Sequence, residues 1–437
     1  MQTAVYRMMT LLCTLVRSLP VGTNLGLLHL LWMLVSGQLL ATRGAVIPGL
    51  SACGLSERAV RRAWAALGQG DWSSARLLAR WQEMVAAEGR WQAHTHGGYH
   101  PVAVDVTAFW RPRLRDCPTS HYQAEAGRAL PAIPLGLIGR VGSVGGQRLA
   151  QPLAYVRADA ADPRSSTHER LLVRAAVQQC AQNEVLAFDA GFGLALLQEE
   201  GATRFVVRCA KNATFRRRDA PAYQGRGRPP TRGPIVRPLP RPYRGRPIPA
   251  TSPDRKETWA EDGVVLRAEV WTDLLRPDAP PDSDGPTITV VAVHDPRYRE
   301  PLLLASPLTL SPQVLRDLYH DRWPVEQLPL AAKQMLGAAR QFVSAPETCQ
   351  RLPEIALLAG AILSYGAATA PAIPTGFWDR RPQPTPGRLR RALARVPFPQ
   401  DFPLPARIRV KATPTAHLPT GFWGQRCRHA TPHDVAA

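Results

Sequence analysis

Four residues in the stretch from 319 to 333, YHDRWPVEQLPLAAK, are typed and spaced for chemistry: Tyr319, Arg322, Glu326 and Lys333. Glu326 is a metal-capable carboxylate, and the cations on either side of it suit phosphate. Steps of four and seven residues return to one face of a helix, because seven residues drift only about 20° from a whole number of turns. An ordinary solvated helix would carry the same decoration. Pro324 cannot donate a backbone hydrogen bond and its ring meets the carbonyl of His320, so a kink is expected between Arg322 and Glu326. Tyr319 and Arg322 would then lie on one side of the bend, with Glu326 and Lys333 on the other.

Two further carboxylates stand where strands are expected. The run from 101 to 110, PVAVDVTAFW, is apolar and β-branched, the pattern of a central strand covered on both faces. Asp105 interrupts it, and a carboxylate inside such a strand is costly unless it is paired or bound to metal. Glycines from 136 to 146 mark a turn, Leu153 to Arg157 reads as a strand, and Ser166 with Glu169 forms a capping box opening a helix to Gln182. Such a crossover helix requires a parallel strand after it, which is EVLAF, 184 to 188. Asp189 follows at its carboxyl end, where ligands gather in open α/β sheets, although a helix-capping aspartate would occupy the same place.

The composition points to nucleic acid. The chain has 437 residues and a formal charge of +20, mostly from clustered arginine, the side chain suited to bidentate phosphate contacts. A surface made basic for solubility is the alternative. Seven scattered cysteines without a CxxC pair suit a reducing compartment. The apolar stretches from Val21 to Ala41 and from Ile355 to Ala372 read as buried helices rather than membrane spans, and no signal-peptide order opens the chain. A soluble cytoplasmic protein without a membrane partner is expected.

Residues 1–98 read as helical. The segment from Ser56 to Leu67 carries a capping serine, with Val60, Ala63, Trp64 and Leu67 inward and Arg58, Arg61 and Arg62 outward. This fits the recognition helix of a helix-turn-helix-like unit or a solvated surface helix. His94, His96 and His100 follow closely, but no cysteine or carboxylate at structural-zinc spacing accompanies them, so they read as unliganded.

From Arg216 to Lys256 arginine, proline and glycine leave no apolar period, and an open segment is expected. RGRP occurs twice within it, at Arg226, Gly227, Arg228, Pro229 and at Arg244, Gly245, Arg246, Pro247. The tetrapeptide resembles the core of AT-hook motifs, whose arginines enter narrow minor grooves, while an extended phosphate-contacting linker would use the same residues. Gly263 to Trp271, Thr287 to Val293 and Leu302 to Ala305 read as strands. Glu354 to Ala368 reads as a core-covering helix and Arg388 to Val396 as a basic amphipathic one. PTGFW recurs at 374–378 and 419–423, and packing of the tail onto the core is the plainer reading of its aromatics.

The spacing Tyr-x2-Arg-x3-Glu-x6-Lys, with two aspartates upstream, resembles the signature of DDE insertion-sequence transposases of the group around insertion-sequence family four. The resemblance covers roughly residues 100 to 365. It implies an α/β fold with a ribonuclease-H-like mixed-sheet core, a β-rich insertion and an N-terminal helical domain. The expected divisions are a helical DNA-binding domain at 1–98, core at 99–209 and 286–370, the insertion at 210–285 and a basic tail at 371–437. It further implies that Asp105, Asp189 and Glu326 form a triad holding two Mg²⁺ ions, with Mn²⁺ able to substitute, and that Arg322, Lys333 and Tyr319 contact DNA near the site. The implied partners are double-stranded DNA, as element ends and target, and a second copy of the chain in the active complex. A nuclease or resolvase that cuts without joining, and a non-catalytic DNA-binding descendant, are the alternatives. In any of these the protein would be a nucleoid-associated one of a prokaryotic cell.

Overall fold

A computed structural model describes residues 2–225, 227–280 and 285–410, with the side chain of Tyr243 left out. Its first part is the expected helical layer: α1 (Gln2–Val16), α2 (Thr23–Val35), α3 (Gln38–Ala41), α4 (Val46–Ala52), α5 (Glu57–Gln69) and α6 (Ser74–Glu88). Helix α2 is apolar all round and accordingly buried from Asn24 through Val35. Ser56 caps α5 as expected, its side chain accepting from the Ala59 amide. Trp64, expected inward, is instead 37% exposed. The buried stripe of α5 is made of Ala59, Val60, Ala63, Ala66 and Leu67, small enough for α2 to approach until a Cβ on Gly26 would lie 2.6 Å from that of Ala66. A tryptophan would not fit that gap.

The chain then forms β1 (Gln92–Ala93), β2 (His100–Trp110), β3 (Ser120–Gln123), β4 (Arg128–Val144), β5 (Gln147–Arg157), α7 (Ser165–Gln179), β6 (Glu184–Phe188), α8 (Leu194–Glu199) and β7 (Phe205–Arg208). Eight strands follow: β8 (Phe215–Arg217), β9 (Ile235–Val236), β10 (Arg241–Tyr243), β11 (Arg246–Ile248), β12 (Arg255–Glu261), β13 (Val264–Leu275), β14 (Ile288–His294) and β15 (Leu302–Ser306). The last helices are α9 (Pro312–His320), α10 (Trp323–Leu330), a π-helical turn (Ala331–Met335), α11 (Pro346–Thr369) and α12 (Pro386–Leu393).

The protein is thus a mixed α/β fold built on one large sheet, in the order β1-β4-β2-β6-β7-β15-β14-β13-β8-β9, with β3 and β5 also on β4 and β12 on β13. The β2–β6 and β6–β7 pairs are parallel, the former as the crossover through α7 requires. The strands expected of an insertion extend this same sheet, because β15 pairs β7 and β13 pairs β14. Period-two alternation sorts the two faces. Val102 and Val104 pack with Leu172, Val173 and Ala176 of α7, whereas Ala103, Phe109, Leu135 and Leu137 pack with Val325 and Leu328 of α10. That second cluster also contains the buried residues of α1 and α2 and of α11, so the helical layer and the sheet share one apolar core.

Several local expectations are corrected. The Ser166 capping box does not form: α7 opens at Ser165 after Arg164 without a side-chain cap, and Asp162 instead accepts from Arg164 and from the Thr167 hydroxyl. The arginine-proline segment is not wholly open, since β8 to β11 form within it. The second RGRP makes the turn of the β10–β11 hairpin, with Arg244 at φ 48° and Gly245 at φ 76°. Arg228, Arg244 and Arg246 are exposed, and Arg226 lies outside the described residues. Phe377 and Trp378 of the first PTGFW are 95% and 67% exposed rather than packed, and the second copy lies outside the described residues. α11 is, among the described residues, the one helix long and apolar enough to cross a membrane, and 83% of its apolar window is buried inside the fold.

Candidate metal and nucleic-acid site

Strand register brings the two aspartates together. Ala103 pairs with Ala187 in the parallel β2–β6 ladder. Asp105 and Asp189 each lie two residues further on, so they stand level on neighbouring strands at the edge where β6 ends, about 5 Å apart along the hydrogen-bonding direction. Alternation points both side chains to the face covered by α9 and α10. The Asp105 carboxylate accepts from the Val106 amide at 2.9 Å and that of Asp189 from the Gly191 amide at 2.9 Å.

Glu326 arrives on α10, and the chain reaches it through a break. Ser311 caps α9 and Pro312 opens it, but the helix stops at His320 rather than at Trp323 as expected. Pro324 has no amide to continue the ladder, so Asp321 and Arg322 form the junction and α10 restarts at Trp323. The break therefore falls at Asp321 and Arg322, not between Arg322 and Glu326. Pro329 removes a second donor, and the widened π-helical turn that follows sets the direction of Lys333.

Despite two interruptions Arg322, Glu326 and Lys333 come within reach of Asp105, and Tyr319 meets Arg322. Arg322, with its side chain 8% exposed, donates to Glu326 Oε1 at 2.5 Å and approaches Asp105 Oδ2 to 3.9 Å. Its guanidinium lies 5.8 Å from the Tyr319 ring centroid, and Tyr319 itself is 4% exposed. Lys333 donates to the Thr107 hydroxyl at 2.7 Å and lies 5.1 Å from the rings of both Phe109 and Trp110.

The electrostatics follow from burial and crowding of like charge. Burial, opposed by Arg322 and reinforced by Asp189 and Glu326, pushes the Asp105 carboxyl up to about 6. Burial brings the Lys333 ammonium down to about 8, with Asp105 opposing. A fourth acid, Glu169 of α7, is raised by burial and by Asp189. Asp189 and Glu326 both act on Asp105, and their oxygens are of the hard type that Mg²⁺ and Mn²⁺ prefer, but the three carboxylates do not lie within ligand distance of one another, and Arg322 stands between Asp105 and Glu326.

Arg322 also lines a cleft of about 830 Å³, together with Arg148, Arg208, Arg299 and Arg316, the acids Asp295 and Glu300, and Tyr298, Tyr319 and Trp323; none of Asp105, Asp189 and Glu326 lines it. Tyr298 and Trp323 are 62% and 57% exposed. The arginines of α5 are remote in sequence from this cleft: Arg58 and Arg61 are exposed, Arg62 is half-buried, and Arg61 pairs with Glu57 at 2.5 Å. Sequence reasoning missed Thr107, Glu169 and Asp321. Thr107 was legible as the neighbour of Asp105 on the same strand face, whereas Glu169 had been read only as a cap.

No model of a known protein family matches the chain, and no curated protein matches it.

Proposed function

We propose that this protein is a DNA transposase of the DDE type, cutting at element ends by metal-dependent phosphodiester hydrolysis and joining the freed 3′-hydroxyl to target DNA. The observation carrying this reading is that Asp189, after β6, and Glu326, on α10, both act electrostatically on the buried carboxyl of Asp105. The strand order β5-β4-β2-β6-β7, antiparallel on one side of β2 and parallel on the other, supports a ribonuclease-H-like core. Divalent ions bound at these acids would supply activation of the attacking oxygen and stabilisation of the leaving one. The three carboxylates would hold them, which requires Glu326 to exchange its bond with Arg322 for the ions.

Released from Glu326, the guanidinium is free to turn toward a phosphate in the adjoining cleft, while the Tyr319 ring keeps it near the reacting group. Lys333, fixed by Thr107 and two aromatic rings, supplies a second cation. The exposed arginines of α5 and of the β10–β11 turn would add sequence-independent phosphate contacts. A dimer fits the need to pair two ends, and cytoplasmic, nucleoid-associated placement follows from the partner.

The test is cleavage and strand transfer on duplexes carrying the DNA that flanks the gene. Native protein with Mg²⁺ should nick and join, and Asp105→Asn should bind the duplex without cutting. Retained cutting by that variant would sink the assignment, and cutting without joining would favour a nuclease.

A further inference from the structure

Outside the acids, one other polar cluster has the composition of a ligand set. His94 and His96 flank Thr95 just after β1, and Asp321 is the first junction residue between α9 and α10. His94 Nδ1 lies 2.8 Å and His96 Nε2 2.7 Å from the same oxygen, Asp321 Oδ2. The three donor atoms lie within 4.8 Å of one another, and among the described residues no other trio of histidine, cysteine and acid side chains does so. Sequence spacing hid this, because the carboxylate comes from the far end of the core.

His94 and Asp321 are each aimed by a partner on the far side, and His96 is held through its backbone. His94 Nε2 lies 2.6 Å from the Ser143 hydroxyl, and the His94 amide donates to the Val141 carbonyl. The backbone of His96 makes a reciprocal pair with Tyr99. Arg148 donates to Asp321 Oδ1 at 2.5 Å, which leaves Oδ2 facing the two rings. Such outer contacts fix ring orientation and tautomer in metal sites. The Asp321 side chain is 5% exposed, those of His94 and His96 are 21% and 25% exposed, and an ion would have one open side for entry and for water. Asp317 lies near enough for His96 to act on its carboxyl, so Arg148 is not the sole charge nearby.

We propose that His94, His96 and Asp321 bind one divalent transition-metal ion of the imidazole-preferring class, with Zn²⁺ as the physiological candidate. Two imidazoles and one carboxylate are the wrong donors for Mg²⁺ and the right ones for zinc with an open fourth position. Ligand distances of about 2.0–2.2 Å require the rings to part by a few tenths of an ångström from their present hydrogen-bonded separation. The ion would take the place of the ring protons now shared with Asp321 Oδ2, each imidazole then carrying its proton on the other nitrogen, which for His94 is the Nε2 that faces the Ser143 hydroxyl. Its consequence is mechanical: the segment leaving the helical layer becomes clipped to the junction residue preceding Arg322. The site is separate from the three acids and does not depend on the transposase reading.

The experiment adds Zn²⁺, and Co²⁺ as a spectroscopic probe, to the full chain stripped of metal. With millimolar Mg²⁺ present to occupy the acids, one tight equivalent should bind, the Co²⁺ spectrum should lack a thiolate charge-transfer band, and the thermal midpoint should rise by several degrees. His96→Gln should weaken binding by at least about 100-fold and Ser143→Ala by about 10-fold, with circular dichroism unchanged. Asp189→Asn, altered only at the acids, should bind as the native chain does. A thiolate band, no stoichiometric binding, or undiminished affinity in His96→Gln would overturn the site. Should that variant misfold, an unchanged affinity in Ser143→Ala would do so instead.

Discussion

Asp321 and Arg322 are consecutive, buried and oppositely charged, yet they serve two different clusters. Asp321 is one carboxylate among three donors, His94, His96 and Arg148. Arg322 is one cation among acids, bonded to Glu326 and 3.9 Å from Asp105. The first cluster is satisfied as it stands. Burial would raise the Asp321 carboxyl, but His96, His94 and Arg148 hold it below the ordinary carboxylate range. The second is under-neutralised, and Asp105 is pushed up to about 6. A helix break that turns two adjacent side chains to opposite neighbours lets one junction both brace the fold and face the chemistry. The difference teaches where a cation is wanted: where carboxylates outnumber the positive charges among them.

Removing each member of the junction separates the two. Arg322→Ala should destabilise the metal-free protein by about 3 kcal/mol in urea unfolding, because it strips two acids of their buried counter-charge. Millimolar Mg²⁺ should return part of that loss; an Mg²⁺-indifferent variant would break the idea that guanidinium and metal compete for one place. Asp321→Asn, in protein stripped of metal, should cost about 2 kcal/mol by removing the negative charge and leaving one acceptor oxygen where two served Arg148 and the two imidazoles, with no recovery in Mg²⁺. Equal rescue of both variants would erase the distinction between the clusters.

Asp105→Asn should act in the opposite direction. The carboxyl's folded value lies above its ordinary 3.8, so the proton favours the fold below about pH 4, and that contribution is lost as pH climbs through about 6. At pH 8, in protein stripped of metal, the asparagine variant should therefore be more stable than the native chain by up to about 3 kcal/mol, with the gain absent at pH 4. A pH-independent difference would contradict the crowding of charge. Lys333→Met should change stability least, within about 0.5 kcal/mol, since the lost hydrogen bond to Thr107 is offset by removing a desolvated ammonium. The salt dependence of DNA binding should fall by roughly one phosphate contact. An unchanged salt slope would place Lys333 away from the phosphates.

Much of this was legible in the sequence where local pattern and tertiary role coincide. EVLAF is β6 to the residue, and the costly aspartate in PVAVDVTAFW sits on the strand face that receives α10. Pro324 predicted a break, although its position shifted because the preceding residues, not the following ones, lose the helical ladder. What was not legible depends on contacts between distant segments. Nothing near His94 and His96 signals Asp321. Arginine spacing suggested phosphate for Arg322, while its partners in this structure are carboxylates that only the fold brings near. The strands after β7 were legible one by one, but their fusion into the same sheet rests on the β7–β15 ladder, which no local period encodes.

The most direct test of the central claim is the number of Mn²⁺ ions bound by the protein–DNA complex, counted by electron paramagnetic resonance in the His96→Gln background so that the imidazole cluster does not contribute. The account predicts two ions with the three acids intact and fewer than one with Asp189→Asn. A complex that binds no Mn²⁺, or an Asp189→Asn complex that keeps both ions, would contradict it.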